Sequence, residues 1–319
     1  MYSSTRINVK QVEKMMHNQE LQAALPACDE VSCEKQNRLG LITLNRPGRR
    51  NAISHKMRQK ITAAFKIWVD DPDIYTILFK SDDKQFFSSG SDVKQIYEAN
   101  KHSRQQALDL FREIYEFIWT IECYTKPVIS IINAAVMGGG VGLTQSGTHI
   151  IAGENYSWSM PEAKLGLFPD VAVTHQLARM PGETGKYLGL TGQPINRYDA
   201  LYLGLLEFCI DADQFETIIE AQRNAEPVDS LLDRIKQNPE ALIEKSEIKS
   251  RQALITSVFS KPTIEEIIKE LEQLTSGDEK QAEWAKSVLK ELSDASPTSL
   301  KITLKAIERA KSMELHQVL

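Results

Sequence analysis

Short apolar runs separated by polar turns dominate the first half of the chain. Five of these runs predict β-strands, at 38–47, 74–79, 126–132, 148–153 and 156–160. Two segments between the runs instead repeat apolar residues every three or four positions, which predicts helices with one apolar face. One helix follows the N-cap residue Ser54, and the other spans 103–121. The first half therefore consists of strand–strand–helix units.

Beyond residue 174 the pattern changes and predicts helices without further strands. Glycines bound short helices at 182–192 and 196–205, and from about residue 211 one helical segment follows another. No flexible linker separates the two halves, so we expect them to pack together. The sequence predicts an α/β fold in three parts, which are a helical or frayed leader, a core and a helical region packed on that core: 1–36, 37–210 and 211–319.

The composition is that of an ordinary globular protein. The 319 residues are 42% hydrophobic and 25% charged, and the net charge of -5 argues against a nucleic-acid or anionic-membrane surface. No apolar run approaches the roughly 18 residues of a membrane helix, and the first residues lack the apolar core of a secretory signal. Four scattered cysteines form neither a disulfide framework nor a zinc site. We expect a reducing compartment, the cytoplasm or, in a eukaryote, the mitochondrial matrix.

The segment NAAVMGGGVGLTQSG (133–147) places three consecutive glycines directly after a predicted strand. No Gly-Lys-Ser/Thr ends the run, and the third glycine of GxGxxG is missing, so neither common nucleotide-binding pattern fits. The sequence also lacks GxSxG and HExxH, its six histidines have no metal-ligand spacing, and we predict no metal site. Glycines at a helix start expose backbone amides, which suits a phosphate or a developing oxyanion equally; a tight packing turn is the simpler alternative.

A second glycine loop, FFSSGSD (86–92), also follows a predicted strand, and two more motifs flank the pair, LNRPGRRNA (44–52) and SMPEAKLGLFPD (159–170). In order and separation the four motifs resemble the crotonase superfamily, the enoyl-CoA hydratase and isomerase group. The resemblance covers roughly residues 39–180 and continues more weakly through LTG (190–192) and SPTSLKITLKAI (296–307). The last segment, with MPE and GLFPDV, is similar to the 3-hydroxyisobutyryl-CoA hydrolase branch. This resemblance implies a crotonase-type spiral of strand–strand–helix turns followed by a helical region.

The resemblance also implies an oxyanion hole for a coenzyme A thioester, formed by the backbone N–H groups of Ser91 and Gly139. Losing one such donor typically costs about 10²–10³ in rate. Hydratases of the superfamily use two glutamates; Gly142 occupies the position of the first, and Glu162 corresponds to the second. Hydrolase relatives keep the second glutamate and add an aspartate, here Asp170. The implied reaction is thioester hydrolysis, with Glu162 as nucleophile or general base and Asp170 orienting water, the substrate hydroxyl or Glu162.

The implied substrate is 3-hydroxyisobutyryl-CoA, an intermediate of valine degradation, or a close β-hydroxyacyl-CoA. Its adenosine and phosphate end would bind near the first motif, because arginine forks suit phosphates; a solvated charge is the alternative for each arginine. The residues expected to bind the substrate or its coenzyme A part are Arg46, Arg49, Arg50, Ser89, Asp92 and Gly138. Coenzyme A enters only as part of the acyl-CoA substrate, so we expect no separate cofactor. A homo-oligomer is compatible with the superfamily.

Two other interpretations stay open. The chain could be a hydratase or isomerase that acts on another acyl-CoA with Glu162 alone as base, or a non-catalytic scaffold such as a ribosome-associated protein. The retained Glu162 and loop glycines favour an enzyme. Ser91 stands where the superfamily usually has glycine or alanine, and AVTH (172–175) stands where the hydrolase branch commonly has glycines. We expect both departures to reshape the pocket.

Overall fold

The structure is a computed structural model that describes residues 23–318. Residues 1–22, which form most of the predicted leader, lie outside the described residues. The strands of the described part are β1 Val31–Gln36, β2 Leu39–Leu44, β3 Thr76–Ser81, β4 Phe86–Ser88, β5 Val128–Ile132, β6 Ala135–Met137, β7 His149–Ala152, β8 Ser157–Ser159, β9 Ile195–Asn196 and β10 Phe208–Cys209.

The α-helices follow the same chain order. They are α1 His55–Val69, α2 Val93–His102, α3 Arg104–Glu122, α4 Gly139–Gln145, α5 Val173–Leu177, α6 Thr184–Thr191, α7 Arg197–Tyr202, α8 Phe215–Arg223, α9 Val228–Ile235, α10 Pro239–Ile243, α11 Glu247–Phe259, α12 Ile264–Leu274, α13 Glu279–Ser293, α14 Pro297–Ala310 and α15 Leu315–Val318. Short 3₁₀ turns occur at Pro47–Arg49, Glu162–Leu165, Pro181–Glu183 and Ala212–Gln214.

Two sheets share the strands in a regular way. The larger sheet has the order β1-β2-β3-β5-β7-β10, and the smaller has the order β4-β6-β8-β9. The successive pairs β3 and β4, β5 and β6, and β7 and β8 each send one strand to each sheet. Neighbours within these two series are parallel. The chain therefore winds as a spiral of strand–strand–helix turns, and the predicted α/β spiral is confirmed.

The inner strands β2, β3, β5 and β7 of the larger sheet are largely buried on both faces, which is why their sequences are mostly apolar, whereas the edge strand β1 alternates buried with more exposed positions. Successive residues of a strand point to opposite faces. In β3, Ile77 and Phe79 join the main core, whereas Leu78 joins a second cluster on the other face. Ile218 of α8 and Leu232 of α9 belong to that second cluster. The helices after residue 211 thus cover a face of the sheet.

The structure differs from the sequence-based prediction in several elements, which include the short strands β4 and β6 that no apolar run predicted. β1 occupies the last part of the segment 1–36 that was predicted as a leader, and it pairs antiparallel with β2, so the predicted boundary is wrong there. α2 lies between the glycine loop at 86–92 and the helix predicted at 103–121, and it was not predicted; its apolar spacing extends only over Val93, Ile96 and Tyr97, and none of its residues is buried. β9 and β10 follow residue 174, where no strand was predicted, and two residues each are too few to create a pattern.

The C-terminal helices hold the turn that carries Glu162. α11, α13 and α14 pack around α6, which is buried along its whole length, and α14 also contacts the turn Glu162–Leu165. The backbone N–H of Ser296 donates a hydrogen bond to the Ala163 carbonyl at 3.0 Å, and Lys164 pairs with Glu291. No helix between residues 23 and 318 has both the length and the apolar character needed to cross a membrane.

Gly185→Ala is expected to weaken this arrangement, because a Cβ at position 185 would overlap the Leu177 carbonyl where α6 meets α5. Overpacking of this kind costs about 3 kcal/mol when backbone has to move. Urea unfolding followed by circular dichroism measures the loss. Gly48→Ala is the matched control, since nothing lies within 4 Å of a Cβ there. Equal stability of the two variants would contradict the packing described.

Candidate active site

The two glycine loops meet because they leave the same edge of the smaller sheet. β4 and β6 are parallel neighbours, so the loops after their carboxyl ends lie side by side. The first motif supports the outer loop: Ile53 N–H donates to the Gly90 carbonyl at 2.8 Å, and Ser89 N–H donates to the Arg50 carbonyl at 2.9 Å. Gly90 has a φ of 100°, which favours glycine. The loop geometry is therefore set by backbone contacts.

The backbone amides of Ser91 and Gly139 lie close together at this junction. A Cβ on Gly139 would stand 2.9 Å from the Ser91 nitrogen and would also contact the Ser91 hydroxyl. Within residues 23–318, neither N–H donates to a protein acceptor. Two adjacent amides without partners form a donor pair for an oxyanion. The two residues predicted for this role are thus brought together.

Glu162 points its carboxylate at the glycine run. Its Cα begins the 3₁₀ turn after β8, and its side chain is 7% exposed. A Cβ on Gly138, where φ is 50°, would stand 2.7 Å from Glu162 Oε1, so only glycine leaves room for the carboxylate. Glu162 Oε2 is buried and makes no hydrogen bond within the described residues. Burial, together with the charge of Asp170, raises the pKa of Glu162 to about 8 against a backbone hydrogen bond that lowers it.

Asp170 is the second carboxylate of the site. Tyr115 of α3 donates a hydrogen bond from its hydroxyl to Asp170 Oδ2 at 2.9 Å. Burial raises the pKa of Asp170 to about 6, and the hydrogen bond from Tyr115 acts in the opposite direction. The next two residues, Val171 and Ala172, have φ values of 47° and 70°, which are unfavourable for residues with side chains. Asp170 is thus held by a constrained turn and by a side chain from a neighbouring helix.

A narrow cleft lies between these groups. Its walls are mostly apolar, and its polar groups are the two carboxylates and the strand-end loops. The lining residues are Ser89, Gly90, Ser91, Val93, Ile96, Phe111, Ile114, Gly138, Gly139, Pro161, Glu162, Leu165, Leu167 and Asp170. Glu162 and Asp170 are the ionisable side chains of this lining, as far as the described residues extend. A cleft with apolar walls, two amide donors and two carboxyl groups fits an uncharged acyl group that becomes an oxyanion.

Position 142 has no space for a side chain. A Cβ on Gly142 would stand 2.7 Å from both Cβ and Cγ2 of Val171, and 3.0 Å from the Val171 carbonyl oxygen. The turn that carries Asp170 thus occupies the volume that a longer side chain at position 142 would need. The packing of this turn therefore excludes a carboxylate side chain at position 142.

The residues of the first motif have different surroundings from those of the cleft. The Arg46 guanidinium bonds to Glu30 and Asp92, each at 2.7 Å, and to the Ala52 carbonyl at 2.9 Å. Asp92 also caps α2, so these two predicted binding residues bind each other and tie α2 to the first motif. Arg49 and Arg50 are exposed, and no carboxylate between residues 23 and 318 pairs with either.

The Arg50 guanidinium lies 5.3 Å from the centre of the Phe86 ring. Ser89 and Gly138 line the cleft together with Ser91 and Gly139. Among the residues predicted to bind the substrate, these two therefore lie nearest to the carboxylates.

Sequence reasoning missed Tyr115. It lies in the helix predicted at 103–121, where a tyrosine at helical spacing looks like an ordinary core residue. No local sequence pattern could have indicated the role of Tyr115, because its hydrogen-bond partner Asp170 is 55 residues away. Two weaker motifs gain a physical explanation: a Cβ on Gly192 of LTG would stand 2.8 Å from Pro161 Cα, and Ser296 bonds to Ala163. Both segments support the turn that carries Glu162.

Comparisons with known proteins extend over nearly the whole chain. The family model for enoyl-CoA hydratase/isomerase matches residues 39–319. The mitochondrial 3-hydroxyisobutyryl-CoA hydrolase of Homo sapiens is 33% identical over 316 residues, which cover 97% of this chain and 80% of that protein. The Mus musculus protein of the same name is 35% identical over 296 residues, which cover 91% of this chain and 75% of that protein.

Solved structures agree with this relationship. An enoyl-CoA hydratase from Rhodobacter sphaeroides 2.4.1 matches with a TM-score of 0.81 and 30% identity, covering 91% of this chain and 82% of that one. A carnitinyl-CoA dehydratase from Mycobacterium thermoresistibile matches with a TM-score of 0.83 and 27% identity, covering 92% of this chain and 83% of that one. The likeness therefore includes the helical region as well as the sheets.

Gly142→Ala is expected to destabilise the protein by about 2 kcal/mol, because its Cβ collides with Val171. In the Val171→Gly background, Gly142→Ala should cost less stability than in wild type, since the contacts with the Val171 side chain are gone. Urea unfolding of the four proteins in the cycle measures the coupling. Gly277→Ala, at a site with only an ordinary contact, is the control. Additive effects in the cycle would contradict the described contact.

Proposed function

The chain belongs to the enoyl-CoA hydratase/isomerase family, and we propose that it hydrolyses a coenzyme A thioester, 3-hydroxyisobutyryl-CoA or a close β-hydroxyacyl-CoA. The observation that carries the proposal is the buried Glu162 carboxylate beside two amides, those of Ser91 and Gly139, that have no acceptor within the described residues. The names of the human and mouse relatives support the choice of substrate.

The oxyanion hole would act on the thioester carbonyl. When a nucleophile adds to this carbon, the carbonyl oxygen becomes an oxyanion, and two preorganised N–H donors stabilise it more than they stabilise the ground state. The Ser91 and Gly139 amides are free to do so because no protein acceptor in the described part competes for them. The donors belong to the backbone, so the serine at position 91 retains the function.

Glu162 would supply the nucleophile in one of two ways. Its ionised carboxylate attacks the thioester carbon, coenzyme A leaves as a thiolate that takes up a proton, and water then cleaves the mixed anhydride. Alternatively, the same carboxylate takes a proton from a water molecule that attacks the thioester carbon directly, and coenzyme A leaves as a thiolate that takes up a proton. The unpartnered Glu162 Oε2 suits both routes, and Asp170 would accept a hydrogen bond from the water or from the substrate hydroxyl.

Hydration is the less favoured reaction. It would use a second glutamate at position 142, and Val171 fills the space that a side chain there would need. A hydratase or isomerase that uses Glu162 alone remains the second candidate. Burying the Glu162 carboxylate costs free energy, and a non-catalytic scaffold would gain nothing in return. The buried carboxylate therefore favours an enzyme.

The coenzyme A end of the substrate would reach the exposed Arg49 and Arg50, whose guanidinium groups suit phosphates. Arg46 and Asp92 would contribute by holding α2 and the outer loop in position, because each is already bonded to the other. Coenzyme A would enter only as part of the substrate. A homo-oligomer and a location in the cytoplasm or mitochondrial matrix remain predictions; the human relative is named as mitochondrial.

Glu162→Gln is expected to lower kcat/KM for 3-hydroxyisobutyryl-CoA by about 10²–10⁴, because the amide can neither attack nor take up a proton. Release of free coenzyme A thiol measures the reaction. Glu247→Gln, in an exposed position on α11, is the control that should retain full activity. Crotonyl-CoA is assayed in parallel. Its hydration without thiol release from either thioester would overturn the hydrolase proposal in favour of the second candidate.

The pH profile is expected to report the raised pKa of Glu162, about 8. If the ionised carboxylate reacts, kcat/KM rises about tenfold per pH unit below that value and levels off above it. Asp170→Asn removes the neighbouring negative charge and should move the rise to lower pH. The midpoint should remain above the ordinary 4.5, since burial is the larger cause of the shift. Steady-state measurements of kcat/KM between pH 5 and pH 10 on both proteins give the two midpoints.

The raised pKa of Glu162 can also be tested without substrate, because a pKa that differs between the folded and unfolded states makes stability depend on pH. The folded-state pKa of Glu162 lies above the ordinary value of 4.5, so folding favours the protonated group. Its contribution to stability is present below about pH 4.5 and is lost as the pH rises to about 8. Wild type should therefore lose stability relative to Glu162→Gln across this window. A constant difference between the two proteins would argue against a buried, titrating Glu162.

A further inference from the structure

Tyr115 acts on the cleft from outside its lining. Its hydroxyl donates a hydrogen bond to Asp170 Oδ2 at 2.9 Å. Asp170 lines the cleft, and so do Phe111 and Ile114 from the same helix as Tyr115, but Tyr115 itself is not part of the lining. The polar contact of Tyr115 with the cleft therefore runs through the Asp170 carboxylate.

The Tyr115 hydroxyl has a rigid support. α3 is anchored in the core by Ile114, Phe117, Ile118 and Ile121, all buried. The Tyr115 ring is half-buried, and its centre lies 6.3 Å from that of the Phe111 ring. Burial and the neighbouring Asp170 charge raise the pKa of Tyr115 far above its ordinary value. The phenol thus stays protonated, and it remains a hydrogen-bond donor over the working pH range.

Few other charges act on Asp170. Glu162 faces it from the 3₁₀ turn, and Tyr115 faces it from α3. The strand-end loops contribute serine and glycine to the cleft. On the α5 side, the Thr174 hydroxyl donates to the Pro169 carbonyl, and the charges that act on His175 are those of Arg179 and Glu314. Burial thus raises the pKa of Asp170, and the Tyr115 hydroxyl donates the side-chain hydrogen bond among the described residues that lowers it, together with the Asp170 backbone N–H; Glu162 is its carboxyl neighbour.

We propose that Tyr115 is a positioning residue that binds Oδ2 of Asp170, leaves Oδ1 available to the cleft, and directs the proton shared by the two carboxyl groups to Glu162. A donor hydrogen bond favours the ionised form of the carboxylate that receives it. Two close carboxyl groups titrate as a coupled pair, so a donor on one of them favours the proton on the other. The consequence for catalysis rests on the proposed function, in which Asp170 Oδ1 accepts a hydrogen bond from water or the substrate hydroxyl.

The decisive measurement needs no substrate. In a Glu162→Gln background, the infrared band of the protonated Asp170 carboxyl is followed against pH, and the spectrum of the same protein with Asp170→Asn is subtracted. Adding Tyr115→Phe is expected to raise the midpoint of Asp170 ionisation by about one pH unit, because the ionised form loses its donor. Tyr124→Phe is the matched control: it loses a tyrosine hydroxyl bond of 2.9 Å to the Phe65 carbonyl, away from the cleft, and should leave the midpoint unchanged.

Replacing Tyr115 with 3-fluorotyrosine keeps the packing and serves if Tyr115→Phe does not fold. Its more acidic phenol is a stronger donor and should lower the midpoint. An unchanged midpoint with both replacements would overturn the proposal and leave Tyr115 a structural residue. This outcome is independent of turnover: a shifted midpoint in a protein that hydrolyses no thioester would support the positioning role and reject the proposed function.

With Glu162 intact, Tyr115→Phe is expected to lower kcat about tenfold at pH 5 but only about twofold at pH 7, because a rise of about one unit from a pKa of about 6 leaves Asp170 about half ionised at pH 7. KM should change less than twofold, because Tyr115 does not line the cleft. The loss should shrink as the pH rises, since Asp170 then ionises without its donor. Tyr124→Phe should reduce thermal stability without changing this pH dependence. A uniform loss at every pH in Tyr115→Phe would contradict a role through the ionisation of Asp170.

Discussion

The site depends on direct backbone contact between two strand-end loops. A Cβ on Gly90 would stand 3.0 Å from the Gly139 nitrogen and 3.0 Å from the Met137 carbonyl oxygen, so no side chain fits between the loops. The parallel pairing of β4 with β6 brings both loops to one edge, and the first motif holds the outer loop through Ile53. Because the contact is made by backbone, the Ser91 and Gly139 amides both lie at the cleft, and neither is bonded to a protein acceptor in the described part of the chain.

The cleft contains two backbone N–H donors that suit a negative charge, those of Ser91 and Gly139. Its ionisable side chains in the described part of the chain are nevertheless two acids, Glu162 and Asp170. Arg46, a cation near the outer loop, is already bonded to Glu30 and Asp92 and is not among the lining residues. Burial and mutual repulsion therefore favour a neutral Glu162 beside an Asp170 that Tyr115 stabilises in its ionised form. In this state Glu162 has to release its proton before its carboxylate can attack or act as a base. An internal salt bridge with a cation would instead hold both carboxylates ionised and bonded.

Sequence reasoning succeeded where one segment carries the whole signal. The apolar runs predicted β2, β3, β5, β7 and β8, because strands inside a sheet cannot be mostly polar, and the glycine loops marked backbone amides that need close approach. It failed where the signal is shared between distant segments. The partner of Arg46 is Asp92, and the partner of Asp170 is Tyr115; neither pair has a characteristic spacing. α2 was missed because its apolar stripe is short: Val93, Ile96 and Tyr97 have helical spacing, but no residue of the helix is buried.

Separate elements carry the oxyanion donors and the acids. The amides come from the ends of β4 and β6, Glu162 comes from a turn supported by α6 and α14, and Asp170 is held from α3 through Tyr115. At position 142 the packing of Val171 removes a place for an acid on α4 without altering the amides one turn earlier. An acid can therefore be lost from one support and gained on another while the backbone frame stays intact. This independence gives a physical reason why one fold can stabilise the same thioester oxyanion in different reactions.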